Sequence, residues 1–129
     1  MKIAVIITRS LLGLVYLVFG LNFFIHFLPM PAPGKDAAGA FEGGLFGAGY
    51  FFPFMKVVEI ISGLFLLINK YTAFFVLIIF PVTLNIFLFH AFLEPAGVPM
   101  GGAMILINLF LGYAYRKYYA AIFTASPTV

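Results

Sequence analysis

The sequence contains no cysteine, and charged residues make up only 9% of its 129 positions. The first absence removes disulfides, thiolate metal sites, Cys-ligated iron–sulfur clusters and thiol redox relays. Any redox chemistry on this chain would need a bound cofactor. The second is foreign to a soluble domain, in which about one residue in four is charged. The seven Lys and Arg residues are scattered singly, with no basic stripe of interleaved aromatics, so nucleic acid is not an expected partner. Also missing are a nucleophile triad, a phosphate-binding glycine loop, a Rossmann glycine pattern and a metalloprotease helix.

What is present is apolar: 64% of the residues are hydrophobic and the mean hydropathy is +1.16. Lipid is the solvent that suits such a chain. Each helical crossing consumes roughly 20 residues, so this length builds one bundle. The pattern predicts an all-α membrane protein, a single four-transmembrane-helix bundle over residues 1–129, with helices at about 3–28, 53–68, 72–93 and 101–115. The first apolar run continues to Leu28 and carries Arg9, whereas the apolar core of a signal peptide is only roughly 7 to 15 residues long. It is therefore read as a retained helix. Pro29, Pro31 and Pro33 close it, Pro53 opens the second, and Pro81 lies inside the third, where neighbouring groups in a membrane can satisfy the freed carbonyl. Between the first two crossings, Asp36 is placed to cap a short interfacial helix with Phe41, Leu45 and Phe46 turned into lipid.

Lys2, Arg9, Lys70, Arg116 and Lys117 fall at one end of this arrangement, and only Lys35 at the other, which predicts that both termini are cytoplasmic. Tyr71, Tyr113, Tyr115, Tyr118 and Tyr119 collect at the basic end as an aromatic belt would.

In so apolar a chain the informative residues are those that cost free energy to bury. Arg9, Lys56 and Glu59 each need a partner or a route to water, because a charge at the bilayer centre costs roughly 2.5 to 3.5 kcal/mol on insertion scales. At about 1.5 Å per residue, Glu59 lies roughly 16 Å from the Lys70 end and Arg9 about 10 Å from Lys2. An Arg9–Glu59 ion pair between the first two helices is within reach, and Lys56, at i, i+3 from Glu59, competes for the same carboxylate. Gly13 and Gly20 share the face of Arg9, and Gly63 that of Glu59, so the two charged faces are able to approach closely.

Asn22 and His26 share a face at the outer end of the first helix, and His90 sits at a similar depth on the third. Asn85 is five residues from His90, about 140° around the helix. Such His and Asn side chains suit hydrogen bonds to a polar headgroup or a quinone carbonyl; an axial haem site is the weaker reading, and no metal site is expected. The candidate ligand-binding set is Asn22, His26, Glu59, Asn85 and His90, with no catalytic residue assigned.

The run from Arg9 through Gly20, Asn22 and His26 to Pro29, then Gly49-Tyr50, Val58-Glu59 with Gly63, and Asn85 to His90, resembles the DoxX family of small four-helix bacterial membrane proteins. The likeness covers about Arg9 to Arg116 and consists of many moderate matches. It implies a multi-pass protein of the bacterial cytoplasmic (inner) membrane, with recurring intramembrane polar positions at Arg9, Asn22, Glu59 and Asn85. Relatives are associated with thiosulfate:quinone oxidation and with membrane complexes handling oxidative stress. With no cysteine here, sulfur chemistry would fall to a redox partner subunit. The expected function is thus a membrane subunit that binds a quinone or similar lipid-soluble ligand for a redox partner. A non-enzymatic scaffold or assembly factor, and a small-molecule transporter working as a homo-oligomer, are the alternatives.

Overall fold

A computed structural model describes all 129 residues. Five α-helices follow one another: α1 Lys2–Ile25, α2 Ala37–Gly47, α3 Phe51–Ile68, α4 Thr72–Phe92 and α5 Val98–Ala114, with 3-10 turns at Pro95–Gly97 and Arg116–Tyr119. Helices α1, α3, α4, and α5 with its preceding turn, are long and apolar enough to cross a membrane. They form a closed ring in which α1 lies on α3, α3 on α4, α4 on α5 and α5 back on α1.

The distribution of residues is inverted relative to a soluble bundle. Only 22 of 129 residues are buried, and these include Arg9, Asn22, Glu59, Ser62, Thr72, Thr83 and Asn108, whereas Ile3, Phe54, Phe74 and Leu106 are more than half exposed. Water would penalise that arrangement, and hydrocarbon favours it.

The tightest crossing is between α1 and α3. A Cβ built on Gly13 would sit 2.8 Å from the Gly63 carbonyl oxygen, and one on Gly63 would sit 2.6 Å from the Gly13 carbonyl oxygen and the Leu17 nitrogen. These are backbone atoms that cannot swing aside. Two glycines facing each other are therefore the condition for this approach.

The helix ends differ from the sequence expectation where a side chain intervenes. Helix α1 stops at Ile25 rather than Leu28, because the buried Asn22 accepts the Leu28 N–H on its Oδ1 at 2.6 Å while His26 takes the left-handed cap conformation (φ 58°). Asn22 thus ends the helix. Helix α3 begins two residues early, at Phe51, with Pro53 in its first turn, and α5 begins at Val98, with Pro99 likewise in a first turn that needs no N–H there. Asp36 does cap α2, its Oδ1 accepting the Gly39 N–H at 2.9 Å.

Phe41 and Phe46 of α2 are not simply turned outward. Phe46 lies 4.3 Å (ring centroids) from Phe52 of α3 and 6.3 Å from Phe23 of α1, and Phe41 lies 5.8 Å from Phe89 of α4. Helix α2 therefore reaches across one end of the bundle, from α1 and α3 to α4. At the opposite end the Tyr119 hydroxyl donates to the Ala73 carbonyl at 2.7 Å, and the Arg116 guanidinium lies 4.1 Å from the centre of the Tyr113 ring. These contacts tie the tail to the bundle and place a cation over an aromatic face.

Candidate functional site

In the half of the bundle nearer α2, the four spanning helices enclose a pocket of about 280 Å³. Helix α1 contributes Val15, Tyr16 and Phe19, and α3 contributes Lys56 and Glu59. Ile86 and His90 come from α4, and Met100 and Met104 from α5. Phe19 of α1 and Met100 of α5 are the most exposed of these residues, at 45% and 51%. The floor holds the charge. Lys56 Nζ stands 3.3 Å from Glu59 Oε1 and 3.3 Å from Oε2, and the Glu59 side chain is 3% exposed against 18% for Lys56.

The expected Arg9–Glu59 ion pair is not formed. The Arg9 guanidinium instead donates through Nη1 to the carbonyls of Leu66 and Leu67, the latter at 3.1 Å. Those carbonyls belong to the last turn of α3, where no intrahelical N–H remains to meet them and the helix dipole is negative. Leu66 lies seven residues beyond Glu59, about 10 Å along the axis, so the nearer acceptors win. Arg9 closes the end of α3, and Lys56 takes the carboxylate.

Of the five candidate ligand residues, only Glu59 and His90 line the pocket. Asn22 is buried and committed to Leu28, and His26 is an exposed cap residue. Asn85 is exposed and donates to the Pro81 carbonyl of its own helix at 3.0 Å. That bond follows from Asn85 lying four residues beyond Pro81, on a different face from His90. His90 is held by the turn before α5: a Cβ on Gly97 would lie 2.0 Å from its Nδ1, so only glycine leaves room for the ring. The His90 Nδ1 is buried without a hydrogen bond, 3.8 Å from Glu94 Oε1.

Sequence reading missed Tyr16, Thr83 and Asn108. The Asn108 amide is oriented by its Nδ2, which donates to the Val76 carbonyl at 3.2 Å, and its Oδ1 is 2.7 Å from Thr83 Oγ1, which donates to it. Thr83, whose Oγ1 also lies within donating distance of the Ile79 carbonyl of its own helix at 3.1 Å, accepts from the Tyr16 hydroxyl at 2.5 Å. The chain joins α1, α4 and α5 through residues no more than 1% exposed. Uncharged and separated by dozens of positions, they left one legible signal, hydrogen-bonding side chains within hydrocarbon-length runs. Replacing Thr83 with Val removes both interhelical bonds at nearly constant volume and leaves the Tyr16 hydroxyl and Asn108 Oδ1 unmet. The expected loss is about 1 to 2 kcal/mol, in line with hydrogen bonds between membrane helices, read as a lower unfolding midpoint in detergent.

Above the pocket, Glu42 of α2 faces a largely acidic neighbourhood. Burial holds its carboxyl above the ordinary carboxylate range, Glu94 and Asp36 push it the same way, and His90 opposes them. The folded carboxyl thus takes a proton more readily than the unfolded one. Acid favours the docked α2, and this contribution is lost as pH rises through the folded pKa. Hydrogen-exchange protection of α2 amides is expected to fall as pH is raised from about the unperturbed carboxylate value toward neutrality, and Glu42→Gln to flatten that dependence.

Comparison with protein-family models, with curated proteins and with solved structures found no match for this chain.

Proposed function

We propose that this chain is a DoxX-like multi-pass protein that holds a quinone or similar lipid-soluble ligand in the pocket between its four spanning helices and presents it to a redox partner. The observation that carries this reading is a buried ion pair lining a mostly apolar pocket between the spanning helices. Apolar walls with a few convergent polar groups are the common form of a small-molecule site. Maintaining Lys56–Glu59 within hydrocarbon costs free energy, and a ligand head group that bonds to it offsets that cost. At about 280 Å³ the space suits a ring head group, with any isoprenoid tail leaving between Phe19 and Met100. No nucleophile or acid–base constellation beyond this pair is assigned, so the electrons belong to the partner subunit.

Orientation forms part of the proposal. Lys2, Arg9, Lys70, Arg116 and Lys117 gather at the end opposite α2, which supports cytoplasmic termini and a pocket in the outer half of a bacterial cytoplasmic membrane. Since the chain has no native cysteine, single-cysteine variants at Lys35 and Lys117 report sidedness directly. An impermeant maleimide is expected to label Lys35→Cys and spare Lys117→Cys in intact cells.

The ligand reading is tested by purifying the protein in native lipid particles, extracting them and searching for quinone by mass spectrometry, then titrating added short-chain quinone. Retention above the level of a membrane protein of unrelated fold, abolished by Met104→Trp in the pocket wall, is expected. Neither co-purified nor added quinone binding would leave the scaffold reading, which the polar chain Tyr16–Thr83–Asn108 favours because it braces three helices at a distance from any ligand.

A further inference from the structure

The end of the bundle opposite α2 carries a second cavity, of about 270 Å³, between α4 and α5. Its floor is buried: Val76 and Asn108 are at most 2% exposed, and Tyr119 is held there by its bond to the Ala73 carbonyl. Its rims, Leu77 on α4 and Leu109 and Tyr113 on α5, are exposed, so the cavity is a groove open to the surroundings of the bundle. Gly112 keeps it open, since a Cβ built there meets nothing within 4 Å. Between Asn108 and Tyr113 the groove runs about 7 Å along α5. The buried polar groups of its lining are already bonded inside the bundle, Asn108 to Val76 and Thr83 and Tyr119 to Ala73. What remains to be covered is apolar, and a hydrocarbon chain suits it.

A cation stands at the polar end of this groove. The Arg116 guanidinium lies 4.1 Å from the centre of the Tyr113 ring, and Lys117 Nζ lies 5.0 Å from that of Tyr118. Arg116 donates from Nη1 to the Tyr113 carbonyl at 2.8 Å, and the rest of its exposed fork has no carboxylate partner. No acidic side chain is placed to supply one: Asp36, Glu42 and Glu94 belong to the other end of the bundle, and Glu59 is paired with Lys56. A guanidinium of this kind binds a phosphate through two parallel hydrogen bonds. An apolar slot that ends at an unpaired Arg is complementary in shape and charge to a glycerophospholipid. Net negative charge on the head group is favoured, because a zwitterionic lipid brings its own cation to an end that already holds Lys2, Lys70, Arg116 and Lys117. We infer that the α4–α5 groove binds one anionic phospholipid, with an acyl chain along Gly112 and the phosphate on Arg116. The site is separate from the pocket around Glu59 and does not depend on what that pocket holds.

The test uses the full chain in nanodiscs of equimolar phosphatidylglycerol and phosphatidylcholine with identical acyl chains. Native mass spectrometry counts the lipids that stay on the protein after release from the disc. Wild type is expected to retain one phosphatidylglycerol, about tenfold over phosphatidylcholine. Arg116→Gln is expected to cut that preference about fivefold. Gly112→Leu, whose Cβ enters open space, is expected to assemble and to lose the retained lipid. Should that variant not fold, the wild type decides by itself. A phosphatidylglycerol with a photoreactive group in its acyl chain is expected to crosslink to Leu77, Phe80 and Leu109 ahead of Leu11 and Leu64, which are exposed at similar depth on α1 and α3. Equal retention of the two lipids, a preference unchanged in Arg116→Gln, retention unchanged in Gly112→Leu, or crosslinks spread evenly around the bundle each overturns the site.

Discussion

Replacing Lys56 with Met is expected to destabilise the bundle by about 3 kcal/mol, the largest effect of any single charge removal here, because it strands a carboxylate in a buried site. The two partners are not equivalent. Glu59 is 3% exposed at the pocket floor, with no second cation recorded on it, whereas Lys56 is 18% exposed and only five residues from the start of α3, about 7 Å along the axis. A lysine deprived of Glu59 extends its stem toward the polar surface, and a glutamate deprived of Lys56 has no such route. Glu59→Met should therefore cost less, about 1 kcal/mol, mostly in altered packing. The double variant Lys56→Met/Glu59→Met should recover most of the loss, since a buried pair replaced by apolar groups of similar volume is often neutral. Unfolding midpoints of the three variants in one detergent give the order directly. A double variant as unstable as Lys56→Met, or a Glu59→Met worse than either, would show that the carboxylate has another partner.

Gly63→Ala is the second large effect. The added Cβ meets the Gly13 carbonyl oxygen and the Leu17 nitrogen at 2.6 Å, both backbone, so α1 and α3 must separate along the contact that also carries the Arg9 bonds to Leu66 and Leu67. Overpacking of this kind costs about 1 to 3 kcal/mol, and Gly63→Leu, with three further carbons, should exceed that range or leave the bundle unassembled. The matched control is Gly43→Ala on α2, where a Cβ meets nothing within 4 Å. There the loss of backbone freedom in the unfolded chain predicts a gain of up to about 1 kcal/mol. Opposite signs for one chemical change in one protein would separate helix approach from helix propensity.

The helices were legible because each depends on a local pattern. Hydrocarbon-length apolar runs, the prolines after α1 and at the start of α3, and Asp36 three residues before Gly39 are local facts, and the structure has the corresponding helices, with α2 capped as the spacing requires. The ends were read less well where the deciding bond came from a side chain: Asn22 reaches forward to Leu28 and cuts α1 short, an interaction that the apolar periodicity does not register. The facing glycines Gly13 and Gly63 were legible as small residues on the charged faces of two neighbouring helices, and the structure brings them into backbone contact.

The site was legible only in part. Composition singled out Glu59 and His90, because an ionisable group in a lipid-facing sequence is conspicuous wherever it points. It gave equal prominence to Asn22, His26 and Asn85, which the fold assigns to a helix end, an exposed cap and a bond to Pro81. Depth along a helix can be counted from sequence at a fixed rise per residue, which set Glu59 roughly 16 Å from the Lys70 end. Rotation about each helix axis depends on which neighbour it meets, and that is settled by packing across residues far apart in the chain. Hence sequence alone determined an apolar four-helix chain with costly polar groups at counted depths. The tertiary structure alone decided that Arg9 closes the end of α3 while Lys56 holds Glu59, and that Tyr16, Thr83 and Asn108 meet at the centre.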